Sequence, residues 1–117
     1  MPTDTAQLEL DLSPVVEPEY AAHLTPAERF ELFHATNPHV ADALERLAAQ
    51  WLRHHDRVGI KALFERLRWE SGIQTAGDPY RLNNNYTAFY ARLLIDRRPE
   101  WRDCFATRAQ RSLEHAE

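Results

Sequence analysis

The sequence comprises 117 residues, of which 44% are hydrophobic and 27% are charged, and its formal net charge is −4. A chain of this size can bury a core as one domain without staples, and its single cysteine excludes an internal disulfide. No apolar run approaches the length of a membrane span, and the start, MPTDTAQLELDLS, lacks the features of a signal peptide. We therefore expect a cytoplasmic protein with no membrane partner.

Charge is distributed unevenly along the chain. Residues 1–28 contain six acidic residues and no Lys or Arg, whereas residues 53–111 contain twelve basic and seven acidic residues, a balance of +5. The charge of the whole chain argues against a polyanionic partner, but the basic stretch permits one. Nearly all the basic residues are Arg, which suits bidentate contact with phosphate or carboxylate, although codon composition produces the same bias.

The first segment is predicted to be a tail. Residues 1–22 show no helical periodicity, contain three prolines and carry excess negative charge. Such a segment buries too little apolar surface to offset the entropy that it would lose on ordering. We therefore predict that it is a flexible acidic tail that is dispensable for folding. A single helical domain is predicted to follow over residues 23–117. Within the tail, LELDLSPVV has the pattern of a linear motif that adds a strand to a partner; the alternative is a solvated tail with a few stray apolar residues.

Two helices are predicted in the first half of the domain. The TPAE sequence at residues 25–28 is a capping box with proline at the first helical position, and the helix it starts should end near Thr36. Asn37 and Pro38 start the second helix by the same logic, with Asn37 as the cap. Apolar residues at spacings of three and four then predict an inward stripe that reaches Leu52.

The basic half begins with a third helix and an irregular connection. Residues 58–60 are predicted to be a short extended piece, and the helix covers residues 61–71 with Phe64 facing inward. Gly72 should stop it. The sequence IQTAGDPYRL at residues 73–82 predicts a small hairpin or an irregular loop.

Two more helices complete the prediction. Any of Asn83–Asn85 can cap the first of them, in which Phe89 belongs to the apolar stripe. That helix ends before Pro99, because the residue before a proline disfavours helical geometry. The last helix runs from about Pro99 to Leu113. The predicted fold class is therefore all-α, with about five helices.

The histidine and cysteine residues do not indicate a metal or a catalytic site. His34 and His39 are five residues apart and His54 and His55 are adjacent, so neither spacing places two imidazoles on one helical face. Cys104 has the surroundings of a buried structural thiol, and glycine-rich phosphate loops are absent from the sequence. We expect no metal, no cofactor and no enzymatic activity.

The stretch YRLNNNYTAFYAR, at residues 80–92, is the most unusual part of the sequence. Three consecutive Asn exceed what one helix cap needs, and Asn can read adenine while Arg reads guanine. The alternative is that the Asn residues cap and turn the chain and that the Arg pairs with an acid. The side chains predicted to lie away from the apolar stripe are those of Asn84, Asn85, Ala88, Ala91 and Arg92.

The order of the central helices predicts a DNA-binding arrangement. Residues 37–55, 61–71 and 84–97 follow one another like a helix-turn-helix or winged-helix unit, although the connection at 73–82 is longer than the usual turn and no obvious wing follows. Duplex DNA would then be bound by eight residues. Asn83, Asn84, Asn85 and Arg92 would reach bases, Arg81 and Thr87 would hold phosphate, and Arg57 and Lys61 would be secondary phosphate contacts.

Several blocks of the sequence resemble a known family. FHATNPHV, VGIKALFERLRWE and YRLNNNYTAFYARLL, followed by Pro-Glu and by the F-x-x-R of residues 105–108, resemble short, uncharacterised proteins of phages and prophages over about residues 30–110. The resemblance implies a small accessory protein made in a bacterial host. Proteins of that setting are often DNA-binding regulators or proteins that bind and redirect host machinery.

The alternative to DNA binding is therefore a non-enzymatic adaptor or inhibitor of a host protein. It would use the acidic tail or an exposed aromatic such as Trp51, Trp69 or Trp101, since aromatic residues and Arg anchor interfaces. The distribution of charge on the surface separates the two hypotheses. Binding to DNA requires the Arg residues on one face with the acids elsewhere, whereas evenly interleaved Arg and acid favour the adaptor.

Overall fold

Helices form most of the part of the chain that the structure describes. The computed structural model describes residues 10–75 and 83–105. Its elements are α1 (Pro26–Thr36), α2 (Pro38–Trp51), α3 (Ile60–Thr75) and α4 (Thr87–Arg97), with 3-10 turns at Asn84–Tyr86 and Pro99–Trp101.

The predicted all-α class is confirmed. Within the two described ranges there is no strand, only a parallel bridge between Val58 and Phe105. The helix-turn-helix or winged-helix arrangement stays a prediction. Among the helices of these ranges, none combines the length and apolar character needed to cross a membrane.

The two helix starts in the first half of the domain differ in their caps. The Thr25 hydroxyl accepts a hydrogen bond from the Glu28 N–H at 3.1 Å, and the Glu28 carboxylate accepts one from the Thr25 N–H at 2.9 Å, so the predicted capping box is confirmed. The Asn37 side chain does not cap α2. Its amide is bonded to the main chain of Val16 instead. Asn37 therefore occupies the predicted N-cap position, but the side-chain capping bond expected there is not formed.

Aromatic side chains from three helices meet in the core. Tyr90 of α4 is fully buried, and its ring meets those of Phe30 and Phe64 edge to face at centroid distances of 4.8 Å and 5.8 Å. The Phe89 ring stacks on Phe30 at 5.2 Å but is only partly buried. The core therefore depends more on Phe64 and Tyr90 than on Phe89.

The predicted end of α3 is wrong. The helix continues through Gly72 to Thr75, so residues 73–75 are helical and do not belong to a hairpin or loop. A glycine inside a helix costs only about 1 kcal/mol, which does not force a helix to stop. The rest of the predicted connection, residues 76–82, lies outside the described residues.

The segment after α4 also differs from the prediction. The Pro99–Trp101 element is a 3-10 turn rather than the start of a long helix. The chain then reaches Phe105, whose ring is buried, while the Cys104 carbonyl accepts a hydrogen bond from the Val58 N–H at 2.8 Å. These contacts draw the chain onto the loop before α3. Residues 106–113 of the predicted helix lie outside the described part of the chain.

Residues 10–20, hereafter the strap, lie against the helices and so differ from the predicted flexible tail. Leu10, Leu12 and Val15 are partly buried against the core, and the main chain of Val16 is bonded to Asn37. The entropy lost when the strap becomes ordered is offset by the burial of these apolar side chains and by these hydrogen bonds. The prediction from composition did not include either contribution. Residues 1–9 of the predicted tail lie outside the described residues.

Two arginines at the end of α4 connect it to α2. Arg97 Nη1 lies 2.9 Å from both Asp42 Oδ1 and Glu45 Oε1, and Arg98 Nε lies 2.8 Å from Glu45 Oε2. Partial burial alone would raise the pKa of Glu45, but the hydrogen bonds from Arg98 and Arg97 outweigh it and hold this pKa below its usual value.

Acid should therefore weaken the fold through Glu45. A folded-state pKa below the unfolded one adds stability above the unfolded pKa, and this contribution is lost as the pH falls through the folded pKa. We expect the free energy of unfolding to fall more steeply from about pH 5 to about pH 3 in the wild type than in Glu45→Gln. Urea titrations followed by circular dichroism at each pH measure the free energy of unfolding. Equal pH dependence of the two proteins would show that the Glu45 carboxylate contributes nothing to stability.

Candidate binding groove

The Asn residues predicted to read bases are largely engaged within the protein. Asn83 Oδ1 accepts a hydrogen bond from the Asn85 N–H at 2.8 Å, so Asn83 caps the 3-10 turn. Asn84 Oδ1 accepts one from Arg68 Nη2 at 2.9 Å. The Thr87 hydroxyl donates to the Asn84 carbonyl at 3.1 Å. Local capping therefore explains Asn83, as the alternative interpretation expected, and the Thr87 hydroxyl is bonded to the main chain of the same turn.

Four of the five side chains predicted to lie away from the apolar stripe are exposed, which are those of Asn84, Asn85, Ala88 and Arg92. The buried side of α4 includes Ala91, so the prediction that Ala91 lies on an open polar surface is wrong. Asn85 and Arg92 are exposed, and the Arg92 guanidinium lies over the Phe89 ring, 5.3 Å from its centroid. Arg81 lies outside the described residues.

Several arginines of the basic stretch contact acids. In addition to Arg97 and Arg98, Arg66 Nε lies 2.8 Å from Glu70 Oε2 and Arg68 Nη1 lies 3.6 Å from Glu65 Oε2. Cations and carboxylates are therefore interleaved along α3 and at the junction of α2 and α4. Such interleaving lowers the attraction of these surfaces for a polyanion.

One surface has a different composition. A groove of about 620 Å³ opens between the end of α2, the start of α3 and the loop that joins them, and we call it the cationic groove. Buried apolar side chains form its floor, including Leu47, Val58 and Leu63. No Asp or Glu of the described residues lines it. Its exposed rim includes five cationic or titratable side chains, of which that of Arg66 is paired with Glu70; they are those of Arg53, His54, His55, Arg57 and Arg66.

Trp51 forms a wall of the groove and is held in place. Its side chain is exposed, at 47% of its surface, which is unusual for a residue with so much apolar area. The indole N–H donates to the Arg57 carbonyl at 2.8 Å, and the His55 ring stacks on the indole at 3.8 Å with a 13° angle between planes. The wall is therefore fixed before any ligand arrives, which reduces the entropy cost of binding.

Sequence reasoning identified part of this groove. Arg57 was predicted as a phosphate contact and Trp51 as an interface anchor, and both line the groove. Lys61 is exposed on α3 but is not among the lining residues. The sequence analysis missed Arg53, His54, His55 and Arg66. The available signal was the Arg-His-His run at residues 53–55, which follows Trp51 after one residue. Of the other tryptophans, Trp69 is exposed and Trp101 is buried.

Within residues 10–75 and 83–105, no three His, Cys, Asp or Glu side chains are grouped so that they could hold a metal ion. Cys104, the sole cysteine, is partly buried.

No protein-family model matches the chain, and neither curated proteins nor solved structures provide a significant match. Functional inference therefore depends on the groove itself.

Proposed function

We propose that this protein is a non-enzymatic adaptor that binds an acidic segment of a partner protein in the cationic groove. The observation that carries the proposal is the combination of an apolar floor, a fixed tryptophan wall and a rim of cations without a lining acid. Carboxylates of the partner complement the rim, and an apolar or aromatic side chain packs on Trp51 and the floor. Aromatic and Arg side chains that become buried when the partner binds supply most of the binding energy in protein interfaces.

A peptide fits the shape of the groove better than a duplex does. The phosphate backbone of DNA has no apolar group that would fill an apolar floor, and recognition helices reach bases from a protruding surface. Duplex DNA is the second candidate, because Arg53, Arg57 and Lys61 are exposed around the start of α3 and phosphate contacts need no base readers.

The resemblance to phage and prophage proteins suggests a bacterial cytoplasm as the setting. Proteins of that setting include both DNA-binding regulators and proteins that bind host machinery, so for an adaptor the partner would be a host protein.

Charge reversal on the rim tests the proposal. The probes are fluorescein-labelled ten-residue peptides in which one Trp or Leu is flanked by Glu, with Lys-flanked peptides and a random DNA duplex beside them. We expect the acidic peptides to bind in anisotropy titrations. The double variant Arg53→Glu/Arg57→Glu should weaken this binding about tenfold or more, because it replaces attraction by repulsion.

The matched control is Arg46→Glu/Arg102→Glu, which changes the net charge equally at two exposed arginines that do not line the groove. It should bind the acidic peptides nearly as well as the wild type. Equal weakening in both double variants would show a nonspecific charge effect and reject the groove. Tight binding of the duplex and none of the acidic peptides would favour the second candidate.

A further inference from the structure

The side chain of Asn37 binds the main chain of the strap. It is fully buried, its Oδ1 accepts a hydrogen bond from the Val16 N–H at 2.7 Å, and its Nδ2 donates to the Val16 carbonyl at 2.8 Å. Nδ2 also donates to the Phe33 carbonyl at 3.1 Å. Together the two bonds to Val16 resemble those that a neighbouring β-strand makes. Since the Val16 side chain is largely exposed, Asn37 recognises an extended backbone rather than a side chain.

Contacts on both sides of Val16 extend this recognition. His39 Nε2 lies 2.9 Å from the Ser13 carbonyl and must donate, because a carbonyl only accepts. The hydroxyls of Tyr20 and Tyr86 lie 3.0 Å apart within hydrogen-bond distance. With the partly buried Leu and Val side chains of the strap, these contacts define a docking surface for an extended peptide. We call Asn37, His39 and Tyr86 the strap site.

The connection between the strap and α1 is short and exposed. Ala21, Ala22 and His23 are exposed, and the turn contains a long main-chain hydrogen bond from the Leu24 N–H to the Ala21 carbonyl at 3.3 Å. Opening such a turn costs little, because it breaks no buried contact and hydrates a weak bond. The turn can therefore open without disturbing the helices.

We propose that the strap site is an interaction surface for a second copy of this chain, in which each copy inserts residues 10–20 into the strap site of the other. The exchanged dimer reproduces every strap contact between copies, so only the 21–24 turn changes and the cost is the entropy of association. The strap includes most of LELDLSPVV, the sequence whose pattern predicted strand addition to a partner. The proposal does not depend on the cationic groove.

The full-length protein can be tested directly. Light scattering coupled to size exclusion, from about 10 µM to about 1 mM, should show a dimer fraction that rises with concentration. In a mixture of isotope-labelled and unlabelled protein, isotope-filtered NMR should show contacts of the Leu12 and Val15 methyl groups with the core of the other copy. A monomer at all concentrations, or a dimer with these contacts only within each copy, would overturn the proposal.

Two connection variants provide the matched comparison. Deleting Ala21 and Ala22 prevents the strap from reaching its own site, whereas inserting four Gly and Ser residues after Ala22 relaxes the turn; short hinges favour exchange and long ones oppose it. The deletion should lower the dimer dissociation constant severalfold and the insertion should raise it. If the deletion variant fails to fold, the insertion variant and the wild type still decide, since equal dimer fractions in those two would reject the exchange.

Discussion

Replacing Phe64 with alanine should lower the free energy of unfolding by about 3–5 kcal/mol. Its ring is fully buried on α3 and meets the Tyr90 ring edge to face. Alanine would leave a cavity where α3 packs on its neighbours, and a close-packed interior fills such a cavity only partly. The loss is a large part of a typical stability of about 5–15 kcal/mol. Urea unfolding followed by far-ultraviolet circular dichroism measures it.

Phe89→Ala is the matched control. Both rings were expected to face inward, but Phe89 is only partly buried and stacks on Phe30 near the surface. Its removal should cost less than that of Phe64, because its site exposes part of the ring already and can collapse. Equal losses in the two variants would contradict the difference in burial. If Phe64→Ala does not fold, Phe64→Leu provides a milder change in the same direction.

The comparison of these two rings shows what periodicity can predict. Spacings of three and four residues identified an apolar stripe on α4, and the helix forms there. Periodicity predicts that a helix has an apolar stripe, but it does not predict how wide the buried part of the helix is. That width depends on the neighbouring elements that cover the helix. On α4 those neighbours bury Ala91 and leave Phe89 half covered. The local capping box at Thr25 was predictable for the opposite reason, since all its partners lie within one turn.

The strap could not be predicted from local sequence. Its prolines and acids are typical of disorder, and its stabilising partner, Asn37, lies 21 residues away from Val16 in the chain. The same long-range bond explains why the expected side-chain cap of α2 is missing. The Asn37 amide is directed at the Val16 main chain and not at the first turn of α2, and leaving these partly buried main-chain groups without partners would be costly.

The cationic groove was visible in the sequence only in parts. Arg53, His54 and His55 are the last residues of the predicted helix 37–55, and basic residues are favourable at the end of a helix in any protein. Their common position with Arg66 arises because the loop after α2 turns α3 back alongside it, which no spacing rule states. Conversely, the Asn triplet had a local explanation in capping, and the structure uses Asn83 in that way. The residue types indicated that the protein could bind an anion, but the position of the groove could be seen only in the folded structure.

Asn37→Ala should lower the free energy of unfolding by about 2–4 kcal/mol, because it removes three hydrogen bonds worth about 0.5–1.5 kcal/mol each. The lost partners are the Val16 N–H, the Val16 carbonyl and the Phe33 carbonyl. Deleting residues 1–20 should be similarly costly, because it leaves the buried amide of Asn37 without the Val16 main chain and uncovers apolar surface. A dispensable tail predicts no loss for this deletion. Urea unfolding of each variant measures the difference.

Asn37→Asp separates hydrogen bonding from size. The aspartate keeps an acceptor for the Val16 N–H but places a carboxylate oxygen against the Val16 and Phe33 carbonyls, so its loss at neutral pH should exceed that of Asn37→Ala. Acid should reduce this excess, because the protonated carboxyl can donate to one carbonyl. Asn85→Ala, at an exposed Asn, is the control and should stay within about 0.5 kcal/mol of the wild type. If Asn37→Ala and Asn85→Ala have the same free energy of unfolding, the strap does not stabilise the fold, and the hydrogen bonds between Val16 and Asn37 contribute nothing to stability.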